Sequence, residues 1–192
     1  MDPPVAGSRF AGEPYGPWRV ISTGSVYRDP WIEVERDEVI RPDGQPGTHC
    51  LVRMKPGVCV LALGEQGTVY LTEEFHYAIG RDGLEAVSGG IEPGEEALAT
   101  AKRELAEELG IVAGRWTPLG VVDPFTTIIV SPTSLFLAED LSFVERSPEG
   151  TERIRSVAMP LNEAIGMSLD GRITHAPTCI LLLRVDRLRV GR

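Results

Sequence analysis

Residues 89–111 of the chain read GGIEPGEEALATAKRELAEELGI, and three of their carboxylates, Glu104, Glu107 and Glu108, stand at i, i+3 and i+4. At about 100° per residue around a helix axis, Glu108 falls about 40° to one side of Glu104 and Glu107 about 60° to the other, so all three share one face. Like charges at this spacing destabilise a helix by roughly a few tenths of a kcal/mol per pair, and a counter-charge or water must offset them. Oxygen ligands gathered in this way suit a hard divalent cation such as Mg²⁺, which keeps several waters and bridges to substrate phosphates. Such a site neutralises phosphate charge, orients a leaving group and lowers the pKa of a bound water. From three glutamates alone, a solvated acidic helix face remains the alternative.

The elements that must hold these carboxylates are legible around them. Leu98, Ala101, Leu105 and Leu109 fall together on the helical wheel and form an apolar stripe for docking on a sheet. Pro93 and Gly94 precede Glu95 and Glu96, whose charges suit a helix N-terminus, and Gly110 can adopt the left-handed conformation that ends the helix after about four turns. Upstream, Ser88, Gly89 and Gly90 are expected to join a strand to this helix, with glycine letting a backbone carbonyl turn toward the carboxylates. Strand patterns run over residues 18–29, 31–41, 48–54, 57–63, 68–74, 84–88, 116–122, 134–140 and 153–160, with GEQG turning the fourth into the fifth. Residues 161–169 and 176–188 have helical spacing, and residues 142–153 form a polar loop. The expected organisation is a flexible N-terminal arm over 1–17, a small β-rich segment over 18–55 and a main domain over 56–192 with a mixed, helix-covered sheet.

Composition narrows the partners. With 42% hydrophobic and 24% charged residues, the 192-residue chain is an ordinary globular one. It lacks an apolar run near the ~18 residues of a membrane span, and MDPPVAGSRF has no basic-then-apolar signal pattern, so a cytoplasmic protein is expected. The net charge of -9 argues against nucleic acid and anionic membranes as partners. Cys50, Cys59 and Cys179 are odd in number and contain no CxxC pair, which points to buried free thiols.

Gly89, five residues, Glu95, seven residues and then Arg103-Glu104-Leu105-Ala106-Glu107-Glu108-Leu109-Gly110-Ile111 resemble the signature of the Nudix hydrolases at every defined position. The resemblance implies an α/β/α sandwich and hydrolysis of a nucleoside diphosphate linked to another group. It implies Mg²⁺, with Mn²⁺ able to substitute, held mainly by Glu104 and Glu108, with Glu107 as a further or water-mediated ligand. The carbonyl of Ser88 or Gly89 would complete the shell, and Arg103 with Glu95 is similar to the pair that steadies the loop in that family.

The flanks narrow the subgroup. LEAVSGGIEPGE (84–95), VLALGEQGTVYLTEEFHYAIGR (60–81), WIEVERDEVIRPDG (31–44) and GRITHAPTCILLL (171–183) are similar to segments of ADP-ribose pyrophosphatases and related nucleoside diphosphate sugar hydrolases. In those enzymes the N-terminal strands serve dimerisation, so a homodimer and a small nucleotide-sugar substrate are implied. Pro124 comes two residues earlier than the proline many of them carry beyond the signature, and Pro132 comes late, which keeps GDP-mannose and UDP-glucose open beside ADP-ribose. A late-loop glutamate assists the attacking water in this group, and Glu149 and Glu152 stand in the matching region. Trp31 offers a base-stacking surface, Arg81 a phosphate donor and Phe125 a pocket wall, each with an ordinary structural role as the alternative, while His76 reads as structural.

Overall fold

The stretch GVCVLAL forms a strand, Gly57–Leu63, in which every residue from Val58 onward is buried. A strand covered on both faces requires this continuous apolar run. Val58, Val60 and Ala62 enter one core cluster while Cys59, Leu61 and Leu63 enter another, the two-residue period of an extended chain.

The computed structural model describes residues 9–146 and 153–190. In chain order the elements are β1 (Pro14–Tyr15), β2 (Trp18–Arg28), β3 (Ile32–Ile40), β4 (Pro46–Met54), β5 (Gly57–Leu63), β6 (Thr68–His76), β7 (Arg81–Glu85), β8 (Val87–Gly90), α1 (Ala97–Leu109), β9 (Ile111–Val122), β10 (Ile129–Val130), β11 (Thr133–Phe143), β12 (Arg155–Pro160), α2 (Leu161–Leu169) and α3 (Ala176–Val190). A 3₁₀ turn, Glu65–Gly67, links β5 to β6. The described residues divide into two compact units, one holding residues 57–122, 133–146 and 153–190 and the other residues 9–56 and 123–132.

In the larger unit the sheet runs β12-β6-β5-β11-β9, with β7 on β6 and β8 on β5. β5 and β11 are parallel and the other pairs antiparallel, which makes the sheet mixed. One face packs against Leu161 and Ala164 of α2 and Leu181, Leu182 and Val185 of α3. The opposite face takes Ala101, Leu105 and Leu109 of α1. The result is an α/β/α sandwich.

Two local outcomes bear on the site. The expected strand over 84–88 is two strands, because the chain changes partner at Ala86: Glu85 pairs with Thr72 of β6, and Val87 with Val60 of β5. Ser88, Gly89 and Gly90 are therefore residues of β8 itself, not a joint between strand and helix, and they pair with Cys59, Val58 and Gly57. β9 begins at Ile111, directly after the Gly110 turn, five residues earlier than its apolar pattern suggests.

The smaller unit is a five-stranded sheet, β1-β2-β3-β4-β10, antiparallel except for the short β10, which joins β4 in parallel. Within the stretch expected as an arm, Arg9 pairs with Glu35 and Asp37, and Pro14–Tyr15 pairs with Arg19 and Trp18 of β2. Residues 1–8 lie outside the described residues. Cys59 is buried and Cys179 half-buried, but Cys50 is exposed, because its position on β4 faces away from the apolar side. No helix among the described residues is long and apolar enough to cross a membrane.

Candidate active site

The helix that carries the glutamates is held by its apolar side. Ala101 and Leu105 are fully buried and Leu109 nearly so. Burying one leucine stabilises by about 1.5–3 kcal/mol, several times the repulsion between two helical glutamates. Packing therefore fixes α1 whatever its acidic face costs. Leu98 departs from the expected stripe and is 38% exposed. It lies in the first turn, where helical side chains lean back toward the N-terminus. Thr100 and Glu108 take its place on the buried side. Gly110 closes the helix at φ 63°, ψ 37°, its N–H donating to the carbonyls of Ala106 and Leu105.

Glu104 points at β8. A Cβ built on Gly89 would stand 2.1 Å from Glu104 Oε1 and 2.2 Å from its Cδ, far inside contact distance. Glycine at 89 is thus required for space, and its φ is not in the left-handed region. Glu108, one turn further along the helix, is 7% exposed.

Arg103 supplies the counter-charge that the glutamates need. Its Nε and Nη2 donate to the two oxygens of Glu95 at 3.1 and 3.2 Å. Its Nη1 lies 2.8 Å from Glu104 Oε1 and donates to Glu107 Oε2 at 3.0 Å. Nη2 also reaches the Gly90 carbonyl at 3.5 Å. One guanidinium thereby joins the loop before α1, the helix face and the end of β8. The Arg103 fork holds the Glu95 carboxyl down at about 2, and Glu95 in turn accepts from the Glu92 N–H across its own loop. A planar bidentate pair fixes orientation in a way a single point charge does not.

The donor chemistry here fits a hard divalent cation. The oxygens gathered here are those of the Glu95, Glu104 and Glu107 carboxylates and the Gly90 carbonyl, and the absent Cβ of Gly89 is what lets the Glu104 carboxylate lie against β8. Among the described residues, no group of three or more His, Cys, Asp or Glu side chains is arranged to hold a metal ion. A hard cation such as Mg²⁺ is usually bound through one or two carboxylates, with water and substrate phosphate in its other positions.

The NUDIX domain family matches residues 53–178, and the nucleoside diphosphate sugar hydrolase N-terminal domain matches residues 18–52. The chain belongs to the Nudix family. It is a Nudix pyrophosphohydrolase, an enzyme type that works with divalent metal ions. The chain is 27% identical over 168 residues to the ADP-ribose pyrophosphatase of Bacillus subtilis (strain 168), covering 83% of this chain and 88% of that protein. It is 26% identical over 178 residues to the ADP-ribose pyrophosphatase of Mycobacterium tuberculosis (strain ATCC 25618 / H37Rv), covering 91% and 86%. A CMP-5'-(N-acetyl-N-hydroxy-3-aminopropyl)phosphonate hydrolase of Streptomyces rubellomurinus (strain ATCC 31215) is 26% identical over 160 residues, covering 83% and 78%. A solved structure described as an ADP compounds hydrolase shares the fold, with a TM-score of 0.78 at 22% identity over 97% of this chain and 98% of the other.

In this Nudix enzyme the remaining sequence candidates fall in different places. Arg81 opens β7, is exposed and donates to Thr174 Oγ1 at 3.2 Å. Trp31 and Phe125 belong to the smaller unit, 71% and 49% exposed, so neither is a core aromatic. Glu149 and Glu152 lie outside the described residues.

Sequence reading missed the surroundings of His76. The Glu85 carboxylate sits between two imidazoles: Oε1 meets His76 Nε2, and Oε2 lies 3.0 Å from His175 Nδ1, which also contacts Thr178 Oγ1 at 2.9 Å. The same Thr178 hydroxyl accepts the Ala86 N–H at 2.9 Å, anchoring the point where β7 becomes β8 to the start of α3. An acidic residue within an otherwise apolar strand, LEAV, was the available signal. Burial pushes Glu85 up, while burial first and then the His76 charge push His175 down to about 4.

His175 should therefore make the enzyme acid-sensitive. Its ring titrates near 6.5 in the unfolded chain and near 4 in the fold, so between those values the unfolded chain binds the extra proton. Lowering the pH through this window disfavours folding by at most roughly 3–4 kcal/mol, at ~1.36 kcal/mol per pKa unit. Glu85, shifted upward, acts in the opposite sense, which makes a comparison with a variant necessary. Thermal melts of wild type and His175→Gln from pH 7 to pH 4.5 should show wild type losing more stability. Parallel melting curves would remove His175 from the acid response.

Proposed function

We propose that the enzyme hydrolyses the pyrophosphate bond of ADP-ribose or a related nucleoside diphosphate sugar in a Mg²⁺-dependent reaction, releasing a nucleoside monophosphate and a sugar phosphate. The observation that carries this reading is the Glu104 carboxylate lodged against Gly89, with buried Glu108 one turn along the same helix. Two relatives named as ADP-ribose pyrophosphatases support the substrate class.

Glu104 and Glu108 would hold the Mg²⁺, or Mn²⁺ in its place, with Glu107 as a further or water-mediated ligand and the carbonyl of Ser88 or Gly89 beside them. When bound, the ion neutralises phosphate charge and makes a coordinated water a better nucleophile. Arg103 is a positioning residue: through Glu95 and Gly90 it keeps the loop and β8 aligned with the glutamates. Glu149 or Glu152 would take the proton of the attacking water once substrate brings the loop within hydrogen-bond reach. Arg81 would donate to a substrate phosphate, Trp31 would stack on the base and Phe125 would line the pocket. The protein would act in the cytoplasm as a homodimer, which size-exclusion chromatography with light scattering tests directly.

Pro124 and Pro132, shifted from the spacing of many ADP-ribose pyrophosphatases, support GDP-mannose and UDP-glucose as alternative substrates. Product analysis after incubation with Mg²⁺ and each of the three sugar nucleotides tests the choice. Selective release of AMP and ribose 5-phosphate supports ADP-ribose, whereas selective release of GMP or UMP assigns another sugar nucleotide. Tight binding without product from any of them would replace hydrolysis with nucleotide-sugar sensing.

A further inference from the structure

Beyond the signature helix, the larger unit contains a cavity of about 850 Å³. Its size lies within the roughly 300–1,000 Å³ range of small-molecule sites. The floor is apolar, formed by Leu63, Leu137 and Val185, all buried. No residue of the 89–111 signature lines it. The cavity opens where β5 ends at Leu63, whereas β8 pairs with the first residues of β5. Five residues of strand separate Val58 from Leu63, a rise of roughly 17 Å.

Two features mark it as more than a surface depression. Among the described residues, the non-glycine residues with positive φ are Gln66 at 60° and Asp140 at 57°, and both line this cavity. Backbone held in that region costs of order 1–3 kcal/mol and collects at ligand sites. The polar groups are also unevenly matched. Arg115 lies 2.8 Å from Glu139 and 3.3 Å from Asp140, so one guanidinium serves two carboxylates and leaves acceptor oxygens over. Arg189, also in the lining, has no hydrogen bond or ion pair among the described residues. Its Nη1 lies only 3.7 Å from where a Cβ on Gly67 would stand, which keeps the fork at the cavity rim. Tyr70 and Phe143, also in the lining, meet edge to face at 5.4 Å, and Phe143 is 64% exposed.

We propose that this cavity is a second ligand site, separate from the glutamate helix, and that its ligand is a nucleoside monophosphate. The planar base lies on the Phe143 and Tyr70 wall, where aromatic contact is sequence-tolerant. N–H or O–H donors of the base and ribose reach the Glu139 and Asp140 carboxylates, and the phosphate takes the Arg189 fork as a bidentate partner. The assignment rests on the cavity alone and stands whether or not the proposed hydrolysis is correct.

The test is calorimetric titration of the full chain, in chelator, with AMP, GMP, CMP and UMP. At least one should bind at a single site, at least tenfold more weakly in both Arg189→Ala and Phe143→Ser, and unchanged in Glu104→Gln. Both cavity side chains are exposed, so these variants should melt with wild type, which a thermal scan verifies. No binding by any of the four, retention in either cavity variant, or loss in Glu104→Gln would overturn the assignment, the last by placing the phosphate at the signature helix.

Discussion

Turnover of the Glu108→Gln variant is expected to fall by about a thousandfold or more, equivalent to roughly 4 kcal/mol of transition-state stabilisation. The change keeps the size and shape of the side chain and removes only its charge. Glu108 is 7% exposed and stands on the buried margin of α1, so the amide occupies the same space without opening a cavity. The helix is held by Ala101, Leu105 and Leu109, none of which the substitution touches. The metal-free variant should therefore keep the wild-type fold, which a thermal melt checks. A large loss of kcat with an unchanged fold is the signature of a lost ligand to the reaction centre. Steady-state kinetics in Mg²⁺ with the substrate found by product analysis would check it, and near-normal kcat would remove Glu108 from the proposed metal shell.

The second large effect concerns a residue with no side chain. In Gly89→Ala the new methyl would stand 2.1, 2.2 and 2.5 Å from Oε1, Cδ and Cγ of Glu104. Contacts that short do not exist, so either β8 or the carboxylate must move. β8 is tied to β5 along Gly57 to Val60, whereas Glu104 is the mobile end of a side chain. The carboxylate should swing away, carrying its Arg103 contact with it. A displacement of this size at a reacting centre costs roughly a hundredfold in rate. Overpacking should lower stability by only about 1–3 kcal/mol. Activity lost well beyond stability is the expected pattern, read from kcat and a thermal melt on the same preparation. If Gly89→Ala keeps full kcat, the Glu104 position seen here is not the one used in turnover.

These predictions differ in how far the sequence alone could have carried them. Glu108 is legible without coordinates: periodicity places it beside Glu104, and the spacing from Gly89 to Ile111 is that of the Nudix signature. The requirement at Gly89 is not. A glycine after a strand pattern suggests a turn, but here it is a paired strand residue whose missing Cβ makes room for Glu104. Backbone freedom and close approach leave the same letter in the sequence, and only the neighbour decides between them.

The same division runs through the molecule. Local patterns determined most of the strands, the helix over 161–169 and the Gly110 cap, because hydrophobic period and glycine conformation act over a few residues. The apolar run 57–63 announced a strand buried on both faces, yet nothing in it told that Cys59 would face α3 and Val60 would face α1. Tertiary structure alone decided that Arg103 would gather Glu95, Glu104, Glu107 and Gly90, that β10 would join β4, and that Glu85 would sit between His76 and His175. Those outcomes depend on residues as far apart as 85 and 175 meeting across the sheet. Sequence spacing reports what lies along one element, while charge pairing, burial and close approach depend on which elements the fold brings together.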